Sequence, residues 1–231
     1  VYKRQPMKYK SPVYSMASGS IAGIVYSHNW AGKYTRERVV PTNPNSQYQV
    51  LVRDAMSWLT SRWKNTLTAG QRELWKVYAD QVPLIDKLGD PIYVTALNHY
   101  IRSNVERKVL ALALFDDAPT IYNLGSLTTP TASGFAAGPP STCNVTYSTA
   151  DDWYASPLSR LFIYVSRPML TSIGYFRGPY RYATSTVGGT PPPLQVTFPW
   201  PAVTGQRVYF RATASTGDGR RSAETFFLLN C

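Results

Sequence analysis

The chain has 231 residues, 44% hydrophobic and only 16% charged, a balance that excludes a disordered polypeptide and leaves length for one or two domains with real cores. Its net charge of +11 is uneven: residues 1–66 hold ten Lys/Arg against two Asp/Glu, and 67–231 hold fourteen against eleven, so the N-terminal part favours nucleic acid, an anionic surface or an acidic protein patch. Two cysteines are too few for a disulfide scaffold and form no CxxC pair, and no run of about 18 apolar residues is present to span a membrane.

No apolar stretch follows the first charged residues, so no export leader is expected, and the chain from Met7 onward (MKYKSPVYS) reads as a natural start. Residues 1–18 carry four Lys/Arg and two Pro with little pattern; they read as an extended basic arm, a disordered tail being the alternative. Residues 20–27 and 33–40 are rich in Ile, Val, Tyr and Thr and predict a hairpin, with Asn29 and Gly32 supplying turn chemistry between the strands. The tract Pro41-Thr-Asn-Pro-Asn45 breaks that pattern, and Asn45 or Ser46 is placed to cap a helix directly after it.

Leu51, Ala55, Trp58, Leu59 and Trp63 recur every three or four residues and predict a helix over 47–66. Thr68 and Gln71 have capping-box spacing and open a second helix over 69–81, with Leu74 and Tyr78 on one side and Trp75, Ala79 and Val82 beside them. After the Gly89-Asp90-Pro91 turn, Leu97, Ile101, Val105 and Val109 predict a third helix over 94–109. Trp58, Trp63, Trp75 and Tyr100 are expected to close a small core together with the hairpin.

Composition shifts at residues 116–140, which are rich in Pro, Gly, Ser and Thr and read as a linker running into a first strand. Beyond it, short β-rich runs alternate with turn residues: 127–133, 141–148, 159–167, 177–185, 193–198, 206–214 and 221–230. The expected fold class is therefore α+β: a basic arm and β-hairpin over 1–45, a three-helix unit over 46–115, a linker over 116–126, and a seven-stranded antiparallel β-sandwich over 127–231.

Two stretches carry family resemblances. Val208-Tyr-Phe-Arg-Ala-Thr-Ala214, the turn Thr216-Gly-Asp-Gly219 and Ser222-Ala-Glu224 before a final strand resemble the last hairpin of Ig/fibronectin type III-like domains. That family's usual Trp in the second strand is absent, with Tyr147 or Trp153 to take its place. GSIAG, KYTRERVVPTNPNSQYQ, LTAGQRELW and NHYIRSNVERKV resemble, in that order, small uncharacterised proteins encoded with bacteriophage and prophage virion genes. The second resemblance implies a structural role in a virion and brings no catalytic residues with it. In a sandwich of alternating strands, Cys143 opens the second strand and Cys231 closes the last, so both are expected near one pole on opposite sheets, either bonded or as two free thiols.

The chemistry-bearing residue types form no catalytic pattern. His28 and His99 have no Cys or shared carboxylate at ligand spacing, no GxSxG elbow occurs, and Gly188-Gly189 precedes prolines rather than a helix. The pairs Asp116-Asp117 and Asp151-Asp152 fall in turns, and Asn144-Val-Thr146 reads as strand rather than as a glycosylation site. The expectation is a non-enzymatic protein with no cofactor, no metal and no membrane. It is read as a bacteriophage virion component, a capsid decoration or tail-associated protein in many copies, contacting other virion proteins. Its expected contact residues are Lys8, Lys10, Tyr26, Trp30, Lys33, Tyr34, Arg36 and Arg38. Two alternatives remain: a nucleic-acid binder using cations interleaved with Tyr2, Tyr9, Tyr14 and Tyr34, or a secreted adhesion or carbohydrate-binding module stacking sugars on Trp30, Trp153 and Trp200.

Overall fold

The computed structural model describes residues 7–8, 18–30, 32–40, 42–86, 88–176 and 178–231, and the chain divides into two compact units, Val1–Ser46 and Gln47–Cys231. It is a mixed α+β protein with three α-helices and several antiparallel sheets.

The smaller unit is a four-stranded sheet of β1 (Met7–Lys8), β2 (Gly19–Ile21), β3 (Ile24–Asn29) and β4 (Gly32–Glu37), in the order β1-β4-β3-β2. The run expected as one strand over 20–27 is cut in two. Ala22 and Gly23 take φ of 47° and 82° and form a two-residue turn that pairs Ile21 with Ile24. Positive φ at both central positions gives the turn whose twist suits a hairpin. Asn29 and Gly32, expected in the turn, are instead paired with one another as the last residue of β3 and the first of β4. The rest of the expected arm lies outside the described residues.

In the larger unit the helices are α1 (Gln47–Asn65), α2 (Ala69–Gln81) and α3 (Ala96–Val109), with a short hairpin of β5 (Leu84–Ile85) and β6 (Pro91–Ile92) between the last two. The capping box forms: the Gln71 N–H donates to Thr68 Oγ1 at 3.2 Å, and the Thr68 N–H donates to Gln71 Oε1 at 2.9 Å. Leu59, Leu67, Trp75, Tyr78, Val82 and Tyr100 make the helical core, with Trp75 edge-on to both Tyr78 and Tyr100. The described members of this core fall between 59 and 124, and Leu114, Ala118 and Leu124 pack against it. Trp58, expected in the core, is 40% exposed, and Leu74 is 56% exposed. Trp58 is a surface ring under two cations, Lys108 Nζ at 3.8 Å and Arg62 at 5.3 Å from its centroid.

The stretch after α3 is tied down residue by residue. Arg62 grips the Asp116 carboxylate through two N–H donors at 2.9 and 2.5 Å, and Tyr100 Oη donates to the same group. Trp75 Nε1 donates to the Asp116 carbonyl, and Tyr78 Oη to that of Asn123.

The remaining strands are β7 (Thr131–Ala136), β8 (Thr142–Thr146), β9 (Arg160–Val165), β10 (Met169–Leu170), β11 (Arg181–Val187), β12 (Leu194–Thr197), β13 (Gln206–Ser215) and β14 (Thr225–Asn230). A five-stranded sheet runs β10-β13-β9-β11, with β14 also on β13, and a three-stranded sheet runs β12-β8-β7. Each run read as strand-like overlaps one of these strands, β7 and β11 running past the expected ends to Ala136 and Val187, and β10 is additional. Alternate residues of both sheets feed one core: Leu161, Ile163 and Val165 of β9; Val208, Phe210, Ala212 and Ala214 of β13; Cys143 and Val145 of β8; Val196 of β12. Trp153 is fully buried in it, edge-on to Tyr147 at 5.2 Å. Cys143 and Cys231 belong to opposite sheets and are both free thiols.

The helices and the five-stranded sheet are joined by α3 through polar bonds. Its apolar stripe is only half-buried, whereas His99, Tyr100, Ser103, Asn104 and Arg107 are buried. Glu106 accepts from Tyr164 Oη at 2.6 Å and from Arg221 Nη2 at 2.7 Å. Arg102 donates to the carbonyls of Arg221 and Ser222, and Arg107 to that of Leu158. Burial lowers both guanidinium pKa values to about 10, which still leaves them charged at neutral pH.

Candidate functional site

The pairing register sorts the expected contact residues. Directly opposed residues of an antiparallel pair share a face. Ile21, Ile24, Tyr26, His28, Lys33, Thr35 and Glu37 therefore lie on one face of the small sheet, and Ser20, Val25, Ser27, Tyr34 and Arg36 on the other. Trp30 stands at the tip of the β3–β4 hairpin and is 99% exposed. Arg38 comes after β4, and its N–H donates to the Gly23 carbonyl at 2.7 Å, which holds it at the β2–β3 turn. Lys8 pairs with Tyr34 in the ladder. Lys10 lies outside the described residues.

The sheet thus gathers most of the expected residues but divides them between two faces, Tyr26 with Lys33 and Tyr34 with Arg36. The β-rich pattern was visible in sequence, but the division depends on register. The Ala22-Gly23 dipeptide is the local signal that an extra strand turns there. Among the described residues of 18–46 none is buried. Ile21, Ile24, Trp30, Val39 and Val40 are exposed apolar side chains. Among the described residues this is an apolar and basic surface.

A second concavity lies on the five-stranded sheet. A cavity of about 340 Å³ is lined by Tyr175, Phe176, Tyr180, Tyr209, Phe226, Phe227 and Leu228. Phe176 stacks on Tyr209, and Tyr180 tilts onto Phe226. Tyr209 Oη donates to the Ile173 carbonyl at 2.5 Å and Tyr180 Oη to that of Phe176 at 3.3 Å. With those hydroxyls spent on backbone, the walls suit an apolar group better than the hydroxyls of a sugar. No motif in the sequence marks this site, because it joins a loop at 175–180 to strands about 30–50 residues away.

The other candidate residues are scattered through the fold. Trp153 is in the core and cannot stack on a sugar; Trp200 is half-buried with Arg167 over its ring. His28 lies in β3 rather than in a turn, and His99 is buried on α3, edge-on to Tyr78 at 5.2 Å. Burial holds the His99 pKa below its usual value, with nearby Arg102 adding to the effect. Asp116 is gripped by Arg62, which with its hydrogen bonds holds that carboxyl below the usual range. Asp151 accepts from Thr128 N–H and Oγ1, and Asp152 pairs with Arg220 at 3.1 Å. Among the described residues no group of three His, Cys, Asp or Glu is placed to hold a metal ion, and no helix is long and apolar enough to cross a membrane. Comparison of the chain with protein-family models, with curated proteins and with solved structures finds no match to any of them.

Proposed function

We propose that this chain is a non-enzymatic structural protein of a bacteriophage particle, a capsid decoration or tail-associated component present in many copies. It attaches through its N-terminal sheet to an acidic surface of another particle protein and carries Gln47–Cys231 as the displayed unit. The observation that carries this reading is the exposure of the sheet: four strands bearing Ile21, Ile24, Val25, Tyr26 and Tyr34, with no described residue of 18–46 buried. Exposed apolar side chains on so small a sheet gain when a partner covers them. Lys33, Arg36 and Arg38 against Glu37 favour an acidic partner. The likeness of the N-terminal stretches to phage-encoded proteins supplies the setting, and multiplicity converts weak single contacts into durable attachment.

We read the two sheets of the larger unit as an Ig/fibronectin III-like β-sandwich. The core shared by both sheets supports that reading, as does the packing of Trp153 on Tyr147 within it. Nucleic-acid binding is the alternative function. The placement of Lys33 and Arg36 on opposite faces favours a protein surface over a continuous phosphate track.

The test is cosedimentation of the purified chain with particles assembled without it. Wild type is expected to sediment with them, to be released as salt shortens the screening length from about 10 to about 3 Å, and to be unaffected by nuclease. Retention on single-stranded nucleic acid with no affinity for particles would replace this reading by the alternative.

A further inference from the structure

The geometry points to a modification site in the larger unit: Cys143 and Cys231 form a disulfide that joins the two sheets, closed by exchange with a low-molecular-weight disulfide. The site is independent of the docking surface and of what the chain attaches to. Cys143 is the second residue of β8, opposite Val196, and is 1% exposed. It shares the inward register of Val145, so its thiol faces the core between the sheets. Cys231 comes directly after β14 and shares the inward register of Leu229; it is half-buried and packs against the same core.

Backbone bonds anchor both residues at the same end of the two sheets. The Cys231 N–H donates to the Gln206 carbonyl, and the Gly205 N–H to the Cys231 carbonyl, both at 2.8 Å, which extends the β13–β14 pairing past Asn230. Ala202, three residues before Gly205, is tied to Ser141, two residues before Cys143. The Ala202 N–H donates to Ser141 Oγ at 2.9 Å, and Ser141 Oγ donates back to the Ala202 carbonyl at 3.1 Å. The Phe198 N–H donates to the Ser141 carbonyl at 2.9 Å. The short connection 202–205 therefore holds the start of β8 beside the end of β14. Both thiols belong to the inward register of their strands and pack on one core at this end, which is the placement a disulfide between the sheets requires.

The chemistry balances in two exchanges. The Cys231 thiolate, the more accessible of the two, attacks one sulfur of a disulfide such as oxidised glutathione and releases one glutathione thiolate. The Cys143 thiolate then attacks the Cys231 sulfur of the mixed disulfide and releases the second. The protein loses two electrons and two protons, and the glutathione disulfide is reduced to two thiols. Burial pushes the Cys143 thiol up to about 12, with Cys231 adding to it, and burial raises Cys231 as well. Thiolate is therefore scarce near neutrality in the folded chain, so the bond closes slowly.

The experiment takes the full chain, purified reduced, and incubates it with oxidised glutathione. It is then denatured without reductant, alkylated and weighed by mass spectrometry. The expected product is a monomer lacking two hydrogens with no alkylatable thiol, and its thermal midpoint is higher by about 10 °C, as closing a loop of roughly 90 residues implies. Cys231→Ser is expected to show neither the mass change nor the rise on oxidation. Cys143→Ala, with Cys231 intact, is expected to stop at the glutathione adduct. Two alkylatable thiols in wild type, a persistent glutathione adduct on Cys231, or disulfide-linked dimers would each overturn the assignment.

Discussion

Replacing Glu106 by Ala tests whether α3 braces the five-stranded sheet. The carboxylate accepts from Tyr164 Oη at 2.6 Å and Arg221 Nη2 at 2.7 Å, and the Glu106 and Arg221 side chains are only 14% and 12% exposed. Truncating one partner of a buried ion pair costs about 3–5 kcal/mol, because the other charge is left behind. Arg221 keeps its bond to the Arg102 carbonyl, which places the loss near the lower end, about 3 kcal/mol. For a unit of this size that is a fall in Tm of about 6–12 °C. Glu106→Gln keeps an acceptor for Tyr164 and loses only the charge, so about 1–2 kcal/mol is expected. Denaturant unfolding followed by both tryptophan fluorescence and circular dichroism reads the result, since Trp75 reports on the helical core and Trp153 on the sheet core. One transition is expected to move in both signals. A loss below about 0.5 kcal/mol in Glu106→Ala would show that these two bonds do not hold helix to sheet.

Three further outcomes are expected. Arg36→Glu with Arg38→Glu weakens particle attachment by an order of magnitude or more and leaves Tm within about 2 °C, since both positions are exposed; matched losses in the two measurements would place the pair in the chain's own fold. His99, kept neutral by burial, makes the unfolded chain the greater proton binder below its ordinary pKa of 6.5. Stability is thus full above that value and declines as pH drops toward the folded pKa, so Tm falls between about pH 7 and pH 5. That slope is expected to flatten in His99→Gln, and an unchanged slope would assign it to other groups. Trp58→Ala, which removes a half-exposed ring and its two cation contacts, is expected to cost about 1–2 kcal/mol in a denaturation curve, well below the cost of Trp75→Ala, about 3–5 kcal/mol.

The helices were legible because their signals are local. The Thr68–Gln71 box and the four-residue spacing of Leu97 to Val109 place their ends within a residue or two. The strand-like runs were legible for the same reason. The features hidden from the sequence are long-range. Leu74 and Trp58 look like core by type, but α2 turns Trp75 and Tyr78 inward instead, and Trp58 meets Lys108 from another helix. The buried side of α3 is polar, and no periodicity rule finds Glu106 bonded to Arg221, 115 residues away. In the N-terminal sheet the division of the expected contact residues between faces depends on a turn at Ala22-Gly23 and on a register that no residue type declares.

Docking through the N-terminal sheet stands or falls with hydrogen exchange over residues 18–40, compared between the isolated chain and the chain bound to its particle. A sheet without a core opens readily, so fast exchange is expected in the isolated chain. On the particle, the amides of β2, β3 and β4 are expected to slow by orders of magnitude, with the helices of the larger unit little changed. Equal exchange of these strands in the two samples would contradict attachment by this sheet.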